Sequence, residues 1–339
     1  MDKPPHITDR VALLRNRKRA DPAALFLHET VAAELQERLN EVNKTFKAPA
    51  IVTGFPDLWQ IHFPDATVVG DDETLSLAPE AHDLVIHAMA LHWANDPVGQ
   101  LVQCRHALKP DGLFLGACFG GQTLHELRAA LGQAEIHVSG GLSPRIAPMG
   151  EIRDLGGLLQ RAGFALPVAD GTSLTVSYEN AFHLMHDLRA MGEANALNMR
   201  LRHATRRNVI TEAAGIYANE FGDDAGRIPA TFDIITLTGW APDDSQPKPL
   251  RPGSSTQRLS DALGVTETSI ETSENCATFI NRTRLRNRYN DPEPKNSRRM
   301  PHAYPKGPSL GQARTCWHFA GELGHAGCNR LLAYATVFI

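Results

Sequence analysis

The chain has 339 residues, a formal net charge of -4 and 42% hydrophobic residues, so it is long enough to bury a core without disulfide staples. Its mildly acidic balance supplies no global basic field for nucleic acid or an anionic membrane, which leaves a small molecule or a protein as the expected partner. Five scattered cysteines, Cys104, Cys118, Cys276, Cys316 and Cys328, fit a reducing, cytoplasmic compartment better than a disulfide framework, and no window approaches the roughly 18 apolar residues of a membrane span.

Residues 1–45 read as an N-terminal helical segment. Its basic start has the charge of a mitochondrial presequence, but Asp2, Asp9 and the Pro4-Pro5 pair argue against one. Leu25, Phe26, Val31, Leu35 and Leu39 recur at helical spacing and predict a packing helix over 22–45. Residues 46–242 then alternate short apolar runs, "APAIVT", "ATVVG", "HDLVIHAMAL" and "GLFLGACF", with helical segments, the pattern of a doubly wound, mostly parallel α/β sheet. "DPVGQLVQCRHALKPDG" predicts a crossover helix stopped by a Lys-Pro-Asp-Gly turn, and with the runs beside it a right-handed βαβ unit. "EIRDLGGLLQRAGF" predicts a helix closed by Gly163, followed by a strand and a second, alternating strand through Leu174, Val176 and Tyr178. Helices over "NAFHLMHDLRAMGEANAL" and "RRNVITEAAGIYANEF" and a strand over "IPATFDIITLTGWAP" complete the sheet. From Asp243 to Ile339 Pro, Ser, Arg and Asn dominate, and a disordered linker and tail is expected there. The tail's Cys316, His318, His325 and Cys328 match no strong zinc spacing, so no metal site is assigned.

Only about a dozen residues separate "APAIVT" from "ATVVG", enough for one crossover helix, so one βα unit of the usual nucleotide-binding half-sheet is missing. Gly54 follows the first run, but Phe55, Pro56 and Asp57 stand where further glycines would let a ligand approach the backbone. Asp71 and Asp72 after the second run are either ligands for a ribose or adenine, or turn and capping residues. His87, His92 and Trp93 fall at the carboxyl edge of the sheet, where α/β folds bind ligands, and the two histidines are either bases or structural hydrogen-bonders. Farther on, Phe119, Gly120, Gly121, Thr123, Glu126 and Arg128 open a helix whose paired glycines either leave N–H groups free for an anion or carbonyl, or make a tight connection. Ser143, Pro144 and Arg145 form a turn over it, and Glu193, Asn195 and Asn198 line a pocket mouth or cap a helix end.

The blocks "LHWANDP", "LKPDGLFLGACFGGQTLHELR", "GGLSPRIAPMGEIRDLGGLLQRAGF", "MGEANALNMR" and "IPATFDIITLTGW" resemble the methyltransferase-type family of mitochondrial complex I assembly factor five and its bacterial relatives, from about Thr8 to about Leu263. The "LKPDG" turn is also similar, more distantly, to the biotin-pathway methyltransferase acting on malonyl thioesters. The resemblance implies a class I S-adenosyl-L-methionine-dependent methyltransferase fold. It also implies methyl transfer to a protein or small acidic acceptor linked to respiratory complex I assembly, or a cofactor-free assembly factor holding a complex I subunit. Gly54 then takes the first cofactor-loop glycine, with Val52, Pro56 and Leu58 where relatives carry an acid and later glycines, while Asp71 and Asp72 match acids after the relatives' third strand. Gly54, Asp71, Asp72, His87, His92 and Trp93 become the candidate cofactor residues, and Phe119, Gly120, Gly121, Thr123, Glu126, Arg128, Arg145, Glu193, Asn195 and Asn198 the candidate substrate residues.

Overall fold

The computed structural model describes residues 6–247 together with 261 and 264. The helices and strands named below lie in the first of the two parts into which the chain divides, Met1–Ser254. The expected tail and its Cys/His cluster lie outside the described residues, apart from Asp243–Pro247, Asp261 and Gly264.

Helices α1 (Arg10–Arg17) and α2 (Phe26–Glu41) precede the sheet. Asp9 caps α1 by accepting from the Ala12 N–H at 3.1 Å, and a single 3-10 turn, Pro22–Ala24, starts with Asp21 as its cap before α2 takes over. The strands are β1 (Pro49–Thr53), β2 (Thr67–Val69), β3 (His82–Ala88), β4 (Leu108–Phe119), β5 (Ala165–Tyr178) and β6 (Ile228–Trp240). They form one six-stranded sheet in the order β2-β1-β3-β4-β6-β5. Four strands run parallel; β6 enters antiparallel to β4, and β5 antiparallel to β6. Beyond β1 lies the single short strand β2, with only α3 (Pro56–His62) between them, in keeping with the missing βα unit.

Alternation along the strands sets the two faces. Ile51, Ile86 and Leu115 point into one core with α2, α3 and the helices α5 (His125–Ser139), α7 (Ala181–Ala190) and α8 (Arg207–Phe221). Val52, Val85 and Phe114 point into the other, against α4 (Pro97–Ala107) and α6 (Ile152–Arg161). Helices therefore cover both faces, and the ends of β1, β3 and β4 gather at one edge.

Two local readings change. The Lys-Pro-Asp-Gly sequence is drawn into the start of β4, with Asp111 at φ 57° and its carboxylate held by Lys44 at 2.6 Å. The two strands expected after α6 are one 14-residue strand, because the pairing of β5 with β6 continues through Gly171 opposite Ile235 and shifts only between Ala165 and Val168.

Candidate functional site

At the carboxyl edge two regions lie side by side. The first is over β1 and β2. After β1 the chain turns at Gly54, and the Phe55 ring goes inward, edge-on to His28 at 4.7 Å and under the Arg17 guanidinium at 5.7 Å. Arg17, the last residue of α1, is buried, and its Nη1 donates to both oxygens of Asp71 at 2.8 and 2.9 Å. Arg10, two turns earlier on α1, reaches the same carboxylate at 3.1 and 3.2 Å and the exposed Asp72 at 3.2 Å. Burial raises the Asp71 carboxyl, but the Arg17 charge and the hydrogen bonds from both arginines outweigh it and hold the acid well below the usual range. Gln100 ties the loop down by donating to the carbonyls of Asp71 and Asp72 at 3.1 Å, while its Oε1 lies 2.8 Å from His87 Nε2. His87 is fully buried, and burial lowers its pKa.

S-adenosyl-L-methionine, which the resemblance implies, would need room above Gly54 and a carboxylate free to accept from its ribose hydroxyls. The residues present do not fit it. A Cβ built on Gly54 would lie 2.3 Å from the Arg17 guanidinium, so that side chain already fills the space the glycine leaves. Asp71 is saturated by arginines, and His87 is a structural tether.

The second region opens over β4. A 3-10 turn, Leu91–Trp93, follows β3 and places His92 and Trp93 side by side. The Trp93 indole N–H donates to Glu193 Oε2 at 2.8 Å, and His92 Nε2 faces the same oxygen at 3.6 Å. The Phe119 N–H donates to His92 Nδ1 at 3.4 Å, so the hydrogen of the neutral ring sits on Nε2, toward the carboxylate. Glu193 is buried to 8% side-chain exposure, and its Oε1 has no hydrogen-bond partner. Burial raises its pKa; His92, the Arg17 charge and the Trp93 hydrogen bond together outweigh that, and the carboxylate form is favoured overall.

Trp93 and Glu193 border a hollow of about 170 Å³ lined also by Phe119, Thr123, Asn195 and Phe232. That space exceeds the roughly 10–15 Å³ needed by one water but falls short of the roughly 300 Å³ at which drug-sized ligands are enclosed. It takes a side chain or a small group. Asn195 forms part of its wall, donating to the Pro144 carbonyl at 2.9 Å. Arg145 also borders it, pinned by Glu135 at 2.6 Å and Thr205 at 2.9 Å, with Ser143 bonded to the same Glu135. The exposed Arg189 lies on the rim.

The other candidates lie beside the hollow in structural roles. The Gly120 N–H donates to the Asp233 carbonyl of β6 at 2.7 Å and is not free for an anion. A Cβ on Gly121 would lie 2.3 Å from Glu151 Oε1, so a carboxylate stands over that glycine. Thr123 Oγ1 exchanges hydrogen bonds with the Asp233 backbone, Glu126 accepts from Thr231, and Arg128 reaches the carbonyls of Gly121 and Thr123. Asn198 turns away, its N–H donating to the Ile7 carbonyl and its Oδ1 accepting from Arg202. Arg10, Arg17, Met149 and Phe232 were not singled out from the sequence. The two arginines of a short helix, and two core-like apolar residues that line the hollow, carry no local signal.

A methyltransferase domain family matches residues 22–116. The chain is 41% identical to the arginine-hydroxylase NDUFAF5, mitochondrial, of Danio rerio over 199 residues, 58% of this chain and 61% of that protein. The Rattus norvegicus protein of that name is 36% identical over 236 residues, 69% of this chain and 68% of its own length. The malonyl-[acyl-carrier protein] O-methyltransferase of Nitrosospira multiformis is 35% identical over 175 residues, 52% of this chain and 54% of that protein. The chain thus spans about three fifths to two thirds of the NDUFAF5 relatives just named.

Proposed function

Because this chain belongs to the NDUFAF5 family and carries a methyltransferase-like domain, we propose that it handles an arginine-bearing protein, a subunit of respiratory complex I, by taking one arginine side chain into the hollow beside Glu193. The observation that carries this reading is Glu193, a mostly buried acid that lines a space sized for a side chain and has no arginine or lysine among its hydrogen-bond partners in the described residues. A guanidinium there would pair with the Glu193 carboxylate, and aromatic residues such as Trp93 and Phe119 in the lining suit a planar cation. The relatives' name, arginine hydroxylase, supports the choice of arginine over lysine.

The test is calorimetric titration with a ten-residue peptide carrying a single central arginine. Glu193→Gln keeps an oxygen for Trp93 but loses the charge, and should weaken binding about 10- to 100-fold, as should replacing the peptide arginine by citrulline. Equal affinity for the arginine and citrulline peptides would rule the reading out. The methyltransferase match over residues 22–116 favours a second reading, methyl transfer to a protein or small acidic acceptor, against which the filled space at Gly54 and the arginine-bound Asp71 stand.

A further inference from the structure

Five buried polar atoms without a hydrogen-bond partner belong to four residues of this edge: Nε and Nη2 of Arg17, Nδ1 of His87, Nε2 of His92 and Oε1 of Glu193. Arg17 is the member that sequence patterns would place in solvent, yet its side chain is only 4% exposed. The single nitrogen it commits, Nη1, holds both oxygens of Asp71. The rest of the guanidinium lies in the space above Gly54, with Cζ and Nη1 both 2.3 Å from the point a Cβ would occupy. Gly192, at φ 79°, makes room for the helix on the other side, since a Cβ there would stand 3.2 Å from Arg17 Cα and 3.4 Å from the Phe55 ring.

In a nucleotide-binding half-sheet the glycine after the first strand is small so that the ligand can come close, and a nearby carboxylate takes the ribose. Here both features are present and both are consumed from within. A sulfonium nucleoside would also bring its own positive charge against a buried guanidinium whose counter-ion is already shared with Arg10, a contact that low-dielectric surroundings make costly.

We propose that Arg17 has taken the cofactor's place: the chain's own guanidinium closes this edge of the sheet, and the protein works without S-adenosyl-L-methionine. This stands on α1 and the loop after β1, and does not depend on what enters the hollow.

The full chain is titrated calorimetrically with S-adenosyl-L-methionine and with S-adenosyl-L-homocysteine to about 1 mM, with thermal melts in parallel. No saturable heat and no rise in Tm are expected, whereas a ligand at about a hundred times its Kd would raise Tm by several degrees. Saturable binding to the unaltered chain with Kd below about 100 μM overturns the proposal. Gly54→Ala gives a readout independent of any ligand. Its methyl must displace the Arg17 guanidinium, so Tm falls; in an Arg17→Ala background, or Arg17→Met should that variant not fold, the same change finds room and Tm does not fall further. Equal falls in both backgrounds would overturn the placement on which the proposal rests.

Discussion

Over β1 and β2 the sheet edge is sealed by charge: two arginines from one short helix close on one buried aspartate, and every oxygen of that aspartate is used. Over β4, the edge is left open as a hollow bordered by Trp93 and Glu193. Both regions bury an acid beside aromatic residues, so composition does not separate them. What separates them is whether arginines of the chain hydrogen-bond the acid: Asp71 is held by two, whereas Glu193 takes the Trp93 indole and faces His92. The first region is closed; the second borders the hollow that, on the proposed function, takes a cation from outside.

The largest effect that would test this contrast is on the sealed side. Asp71→Ala leaves the Arg17 guanidinium buried without its counter-ion, and should destabilise the protein by about 3 to 5 kcal/mol in urea unfolding. A loss below about 1 kcal/mol would mean that the edge opens freely to solvent and that the contrast is false.

Next comes acid. His28 is buried between Phe55 and Trp59, accepts from the Trp59 indole at 3.2 Å, and has its pKa lowered from 6.5 to about 4, chiefly by burial. The unfolded chain takes up a proton near pH 6.5 while the folded chain does not until about pH 4. The unfolded state therefore binds more protons in that window, and stability falls as pH drops through it, by at most about 3 kcal/mol for this residue. Asp71, whose pKa is also lowered in the fold, loses its contribution at still lower pH. Unfolding free energies measured from pH 7 to pH 4 should slope downward, and His28→Gln should flatten the slope; an unchanged slope in that variant would show that His28 does not stay neutral.

The smallest expected effect lies at the boundary between the regions. Gly192→Ala puts a side chain at φ 79° and 3.2 Å from the α1 backbone, and should cost about 1 to 2 kcal/mol. If the cost instead vanishes, the contact between α1 and the turn after α7 is loose.

Much of this arrangement can be read before any coordinate is seen, for reasons that differ by element. The runs that became β1, β3 and β4 are continuous and apolar because both of their faces are covered, and such runs stand out. The turn carrying His92 and Trp93, and the approach of Phe119, Thr123, Glu193 and Asn195 to one hollow, follow from the carboxyl-edge rule and from the resemblance. Helix α1 is different. Of its eight residues only Ala12, Leu13 and Arg17 are buried, while Val11 and Leu14 face solvent at 78% and 52% exposure, so its pattern says little about which side packs. Nor can the burial of Arg17 be seen locally, because it depends on an aspartate 54 positions away. The paired glycines left an anion site and a tight connection equally open for a related reason: the Asp233 carbonyl that takes the Gly120 N–H comes from β6, more than a hundred residues later.

The turn at 191–195 behaves as a party wall. On one side Gly192 lies flush with α1 and Phe55; on the other Met191, Glu193 and Asn195 furnish the lining of the hollow. The strip just beyond it is stitched to the start of the chain, through the Thr8–Leu197 bridge and the grip of Arg200 and Arg202 on Asp9. No tenant on either side can be rehoused without moving the masonry they share, so the stretch from Thr8 to Arg17, which contributes nothing to the hollow's lining, nonetheless holds up one of its walls.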